Sequence, residues 1–270
     1  EMDNHQKNGG GNAVIFHYIS ELYRFPKDYK ATVYLSQIMQ AYCLRFGIEH
    51  MRRNMPRTMG SLFWQLNDCW PVASWSSIDF GGRWKALQYA AKRFYAPALV
   101  SVKWIGNESV HRSTNTLLTD VRGFEIHSIY DAPKKSEGQL EWELWSINLN
   151  KTVKTGSKKI PLIPGKSVLR EKVMVQEYLE KHQRNDLLLR TKLYVNKIEV
   201  SGNTTFLTTP KRIAFQTPDI KALVTKGEEK DSFNITLQSD KIAYQVYLNL
   251  NDAVEHRISD NFFDLFPGAD

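Results

Sequence analysis

The spacing of apolar residues changes along this chain and divides it into three sections. In residues 1–95 the steps are those of helices. Ala13–Leu22 predicts a short helix, and Phe25–Asp28 makes a proline-containing break. From about Tyr29 to Arg53, Leu35, Ile38, Met39, Tyr42, Phe46 and Glu49 recur at three- and four-residue steps, so a long helix is expected. Arg52 and Arg53 suit its negative pole, and Pro56 stops it. The apolar run Ser61–Leu66 predicts a strand, and Trp84–Phe94 a further helix with Trp84, Leu87 and Ala91 on one face. Helix, strand, loop and helix in this order belong to a (β/α) architecture. An eight-fold barrel takes about 250 residues, so this section can supply only its last two units.

From Ala96 to Thr217 the period falls to two. Ala98–Ile105, Val121–Tyr130, Leu140–Leu149, Val168–Val175, Leu187–Val195 and Thr204–Arg212 read as strands. Gly106–Asn107, Pro164–Gly165 and Ser201–Gly202–Asn203 are the turns between them. This spacing predicts an immunoglobulin-like sandwich. Pro218–Asp270 continues in the same manner with Ile220–Thr225, Ser232–Gln238, Ile242–Leu250 and Asn261–Pro267. Four strands fall short of a minimal sandwich of seven. The predicted class is therefore α/β plus all-β. The C-terminal part of a (β/α)8 barrel (1–95) precedes an immunoglobulin-like β-sandwich (96–217), and a truncated, partial second sandwich (218–270) follows.

Composition adds exclusions. Hydrophobic residues make up 42% and charged residues 24%, as in ordinary globular proteins. The net charge of +7 raises nucleic acid as a partner. Its densest basic clusters, however, are the short pairs Arg52–Arg53, Lys134–Lys135 and Lys158–Lys159, which read as solvated surface. No apolar run reaches the length of a membrane span. Neither nucleic acid nor membrane is expected as a partner. Two cysteines, Cys43 and Cys69, define no disulfide framework and are expected to be buried free thiols. The seven histidines form no metal-spaced pair, and Gly9–Gly10–Gly11 lacks a nucleotide-binding context, so no metal or cofactor is expected. Glu1 opens no signal-like segment, which places the true N-terminus out of view and leaves localisation unread.

Four of the seven tryptophans lie in Met59–Trp84, M-G-S-L-F-W-Q-L-N-D-C-W-P-V-A-S-W-S-S-I-D-F-G-G-R-W. Its spacing W-Q-L-N-D-x-W-P-x-x-S-W-x-S, followed by G-R-W-K-A-L-x-Y, resembles the last barrel strand, loop and helix of β-mannosidases of glycoside hydrolase family 2. The opening E-M-D-N-H-Q-K-N-G-G-G-N is similar to the stretch after their nucleophile strand. The closing S-D-N-F-F-D-L-F-P-G is similar to part of their final sandwich. The resemblance implies a retaining exo-β-mannosidase acting on β-mannoside oligosaccharides, and by family habit a periplasmic, extracellular or lysosomal location.

A retaining glycosidase needs two carboxyl groups about 5–5.5 Å apart. In the family both are glutamates preceding the equivalent of Glu1, in an Asn-Glu pair and a Ser-Glu-aromatic-Gly stretch. Here Asn107–Glu108 falls in a turn of the next domain, and Ser20–Glu21 is followed by Leu22–Tyr23 in a helix. Neither fits, so no catalytic residue is assigned, and the missing N-terminal part of the parent enzyme is the expected partner.

The resemblance makes Trp64 the floor of the subsite for the scissile mannosyl ring, and an indole face suits the C–H face of a sugar. Asn67 and Asp68, at the strand end, can reach sugar hydroxyls or satisfy the backbone of their own loop. Trp70 and Trp75 can line the pocket mouth or pack the loop. His5 and Gln6 sit in a loop where ordinary hydrogen bonding is the better reading. The substrate-binding set is therefore Trp64, Asn67, Asp68 and Trp70. Two alternatives remain open. One is another family 2 glycosidase, β-galactosidase or β-glucuronidase, from which the tryptophan spacing differs. The other is a non-catalytic carbohydrate-binding module, which requires Trp104, Trp142 and Trp145 to form an exposed stripe.

Overall fold

The computed structural model describes residues 2–111, 114, 116–250 and 256–268. Glu1 of the opening motif and Ala269–Asp270 of the ending lie outside the described residues. Four helices come first: α1 (Met2–His5), α2 (Gly11–Leu22), α3 (Tyr29–Arg53) and α4 (Ala86–Phe94). Asp28 caps α3, its side chain accepting from the Ala31 amide at 2.7 Å. Ile19 and Tyr23 pack with Ile38, Met39, Ala41, Ala86 and Tyr89 in one apolar cluster, which Phe262 joins from the far end of the chain. Cys43 lies on the opposite side of α3 from Ala41 and Ile48, and Cys69 lies in a loop. Both are free and exposed, which corrects the expectation of buried thiols.

The (β/α)8 portion expected over residues 1–95 is not shown. Ser61–Leu66 forms no strand among the described residues. The isolated bridges nearby, Asn67 to Ile78 and Ile78 to Trp84, lie just beyond it. A barrel strand needs a hydrogen-bonded neighbour along each side, and this segment is met only at its end, where Ser77 and Ile78 donate to the Gln65 and Leu66 carbonyls.

Seven strands then build two facing sheets: β1 (Ala98–Ile105), β4 (Gly123–Tyr130), β5 (Ser136–Ser146), β6 (Lys151–Leu162), β7 (Lys166–Met174), β8 (Leu187–Val195) and β9 (Ile198–Phe206). A short hairpin, β2 (Glu108–His111) with β3 (Thr116–Thr119), projects between β1 and β4, and a single turn, α5 (Gln176–Leu179), follows β7. One sheet has the order β1-β4-β7 and the other β6-β5-β8-β9, all antiparallel. Alternate residues of both sheets fill the space between them: Val100, Phe124, Ile126, Leu140, Leu144, Leu187, Leu189 and Leu193 are all withdrawn from solvent. Two ties join the sheets at one edge, the Val100 amide donating to Ser201 and the Trp104 indole donating to the Phe206 carbonyl. The sandwich expected here is present, with β6 as an unanticipated edge strand. Its sequence, K-T-V-K-T-G-S-K-K-I-P-L, carries too many lysines to alternate visibly, and lysine suits an edge.

The last section comprises β10 (Ile220–Lys226) paired with β11 (Phe233–Ser239), and β12 (Ala243–Val246) paired with β13 (Phe263–Leu265). Ile213, Ile242 and Phe266 close over Trp145, Leu188 and Phe206 on the outer face of the four-stranded sheet.

Helix α3 is fastened to the sandwich by charge. Glu49 is buried, accepting from Arg45 at 2.9 Å and from Ser101 of β1 at 2.6 Å. Arg45 donates onward to Asn203 of β9, and Arg53 to Ser101. Arg52 binds the Phe94 and Ala96 carbonyls and Asp131. Arg52 and Arg53 thus serve as inter-element clamps more than as dipole partners.

Candidate functional site

Between α3 and α4 the chain is held by a backbone weave instead of regular structure. Gln65–Asn67 runs beside Ser77–Ile78: the Ile78 amide donates to the Leu66 carbonyl at 2.8 Å, and the Asp68 amide to the Ile78 carbonyl at 3.2 Å. Lys85 returns antiparallel, its amide on the Ser77 carbonyl at 2.9 Å. The turn between them is closed by Asp79 and Arg83, paired at 2.8 Å, with Gly82 in the left-handed region at φ 81°. A residue with a Cβ is strained there, so glycine belongs.

Asp68 is the hub of this weave and only 5% exposed. Its Oδ1 accepts from the Ser74 hydroxyl at 2.6 Å, and its Oδ2 from the Ser76 hydroxyl at 2.5 Å and Lys85 Nζ at 2.9 Å. Lys85 Nζ also lies 2.6 Å from Ser76 Oγ. The Ser77 hydroxyl donates to the Leu66 carbonyl at 2.9 Å. Burial pushes the Asp68 carboxyl up, but the hydrogen bonds from Ser74, Ser76 and Lys85 outweigh it and leave its pKa below the ordinary aspartate value. The carboxylate stays charged inside the loop.

The four residues predicted to bind substrate lie in three different settings. Trp64 is 74% exposed, at the entry to the weave, and its peptide bond to Gln65 is cis. Asn67, three residues further on, is also exposed, its side-chain amide 3.3 Å from the Asp68 carbonyl. Asp68 faces inward, so its carboxylate organises the loop and both its oxygens are engaged. Trp70 is half-buried beneath the N-terminal loop: the His5 ring stacks on it at 5.7 Å, and Lys7 Nζ stands 4.4 Å over it. His5 Nδ1 also bonds the Pro71 carbonyl at 2.6 Å, and its own carbonyl accepts from Ala73. Gln6 bonds Asn8 within its loop and Asn12 in the first turn of α2. Trp75 is exposed, with its carbonyl held by Gln40 at 2.7 Å.

Sequence reasoning missed Ser74, Ser76 and Lys85. The only available hint was the place of two of them inside the quoted motif, Ser74 at the first S of P-x-x-S-W-x-S and Lys85 at the K of G-R-W-K, while Ser76 falls on its unspecified position. Leu62, Trp64, Leu66, Trp75, Phe80 and Trp84 are all exposed, and so many large apolar side chains left outward in one segment suit an interaction surface. Among the described residues, no group of three or more His, Cys, Asp or Glu could hold a metal, and no helix is long and apolar enough to cross a membrane.

On the sandwich, Trp142 packs on the core, Trp145 is buried, and Trp104 is tied to Phe206, so these three form no exposed stripe. A groove of about 560 Å³ lies elsewhere on the four-stranded sheet, lined by Glu137, Gln139, Glu141, Lys159 and Tyr194.

Two domain families match the chain: the Mannosidase Ig/CBM-like domain over residues 122–212 and an Ig-fold domain over residues 215–270. β-Mannosidase B of Aspergillus terreus is 26% identical over 278 residues, covering 99% of this chain and 31% of the fungal protein. Rat β-mannosidase is 39% identical over 107 residues, covering 35% of this chain and 12% of the rat protein. The crystal structure of the β-D-mannosidase of Dictyoglomus thermophilum superposes with a TM-score of 0.81 at 27% identity, over 99% of this chain and 30% of that one. The matched region therefore spans less than a third of each of these relatives. With its Ig-like mannosidase domains and its likeness to β-mannosidases over nearly its whole length, this chain resembles a C-terminal portion of the β-mannosidases of glycoside hydrolase family 2.

Proposed function

We propose that this chain is the C-terminal part of a retaining exo-β-mannosidase that releases terminal β-linked mannose. In this reading residues 1–95 complete a (β/α)8 catalytic barrel, 96–217 form the first accessory sandwich and 218–270 belong to the second. The two reacting glutamates come from the rest of the parent enzyme, and the chain alone performs no chemistry. The exposed apolar side chains from Leu62 to Trp84 pack against that missing part.

The observation that carries the reading is the Trp64 indole, open to solvent yet rooted in a loop braced by a buried ion pair. Such a ring can accept the apolar face of a pyranose without first rearranging. Asn67, three residues further on, bonds a sugar hydroxyl, and Trp70 bounds the site while pinning the N-terminal loop. Asp68 acts on the sugar through the loop it organises. Likeness to the Dictyoglomus β-D-mannosidase over nearly the whole chain supports the same assignment.

The test is hydrolysis of an aryl β-mannoside. The 270-residue chain alone shows no turnover, and in the full-length protein Trp64→Ala lowers kcat/KM by about a hundredfold, on the scale of a lost positioning contact. Turnover by the isolated chain, or full activity per folded molecule of Trp64→Ala, contradicts the proposal.

A further inference from the structure

We propose that Lys85 is a positioning residue for this site, holding the Trp64 segment in its sugar-ready shape through Asp68 and Ser76. The inference rests on the platform reading of Trp64. It begins from an anomaly of local sequence. Lys85 is the N-cap residue of α4 and makes no side-chain cap. A cation there faces the positive end of the helix dipole, where it is disfavoured. The position is also nearly withdrawn from water, with the Lys85 side chain 12% exposed and that of Asp68 2%. Helix α4 by itself gives no reason for a lysine at this point.

The reason lies across the loop. Lys85 Nζ reaches Asp68 Oδ2 at 2.9 Å and Ser76 Oγ at 2.6 Å, and Ser76 in turn donates to the same carboxylate and lies 3.0 Å from the Ile78 carbonyl. Ser77 and Ile78, the next residues along, carry the hydrogen bonds that hold the Gln65 and Leu66 carbonyls. These two residues follow Trp64 directly. The path from ammonium to indole is therefore continuous: Lys85, Asp68 and Ser76, then Ser77 and Ile78, then the backbone of Gln65 and Leu66. Removing the ammonium leaves a nearly buried carboxylate balanced by two hydroxyls alone, which is costly enough to make the loop rearrange. Nothing in the contact set gives Lys85 a role in acid–base chemistry, and it touches no reacting group.

The experiment uses the full-length protein and an aryl β-mannoside. Lys85→Met keeps the length of the side chain and removes its charge. It is expected to lower kcat/KM by about tenfold to a hundredfold, mainly in kcat, because a misplaced platform costs transition-state orientation. The rates are taken per folded molecule, and Lys85→Arg, which keeps the cation, restores a substantial part. Should Lys85→Met fail to fold, Ser76→Ala breaks the same path while keeping the Lys85–Asp68 pair, and it is expected to lower kcat in the same direction. Activity of Lys85→Met, or of Ser76→Ala where the lysine variant does not fold, within twofold of the parent overturns the proposal. So does a loss of Lys85→Met that Lys85→Arg does not relieve. Trp64→Ala assayed alongside separates the two readings. A crippled Trp64→Ala with an unaffected Lys85→Met leaves the platform standing and removes the positioning role, whereas an active Trp64→Ala removes both.

Discussion

Between β1 and β9 the chain is held by interlocked aliphatic side chains, with Val100, Leu140, Leu144 and Leu187 withdrawn from solvent between two complete sheets. Between Met59 and Lys85 it is held by backbone hydrogen bonds and a polar network centred on Asp68, Lys85 and serine hydroxyls, while Leu62, Trp64, Leu66, Trp75, Phe80 and Trp84 face outward. The contrast teaches what each region is for. A sandwich that buries its apolar faces is finished in itself. A segment that keeps its polar groups inside and its indoles outside has reserved those indoles for something else. Hydrophobic burial is non-directional and tolerates repacking, whereas a satisfied polar network fixes one geometry. A ligand platform needs the second property.

Three substitutions in the full-length protein break or sharpen this contrast. The largest effect is expected for Leu144→Ala, which opens a cavity between the sheets. It should destabilise the protein by about 2–5 kcal/mol, read from urea denaturation. A loss below about 1 kcal/mol refutes a close-packed interior. Next comes Gly156→Ala. Gly156 of β6 lies opposite Trp142 of β5, and a Cβ at that position runs into the indole. Overpacking of this kind costs about 1–3 kcal/mol, and a neutral thermal midpoint means that the ring has room to move. The smallest stability effect is expected for Trp64→Ala. Its exposed ring contributes little to folding, so the change should stay within about 0.5 kcal/mol even as activity falls. A large drop in the thermal midpoint instead makes Trp64 a packing residue.

Much of the fold was legible in the residues. Helix α3 has the bounds its apolar spacing predicts, because Asp28 caps one end and Pro56 follows the other. Strands β1 and β8 also match, since each opens on an aliphatic run, Ala98–Val100 and Leu187–Leu189, and continues with apolar residues at alternate positions. Strand β6 was hidden because an edge strand has one side in water and need not alternate. The run Ser61–Leu66 looked like a strand by composition. It is not one here because strands are made by their neighbours, and this one has only Ile78 and its surroundings beside it.

The site divides in the same way. The tryptophan motif singled out the proposed site, since an indole at a chosen spacing is rare enough to be informative. The direction each side chain takes was not. Asp68 and Asn67 are adjacent polar residues of one loop, and only the approach of Ser74, Ser76 and Lys85 turns the first inward while the second stays exposed. Trp70 and Trp64 are equally aromatic, yet the N-terminal loop lays His5 and Lys7 on one and leaves the other open. Sequence alone determined which residues are present and how far apart they stand along the chain. Tertiary structure decided which of them face each other, because a hydrogen bond or a stacked ring depends on distance in space, and residues as far apart in the chain as His5 and Ala73 meet here.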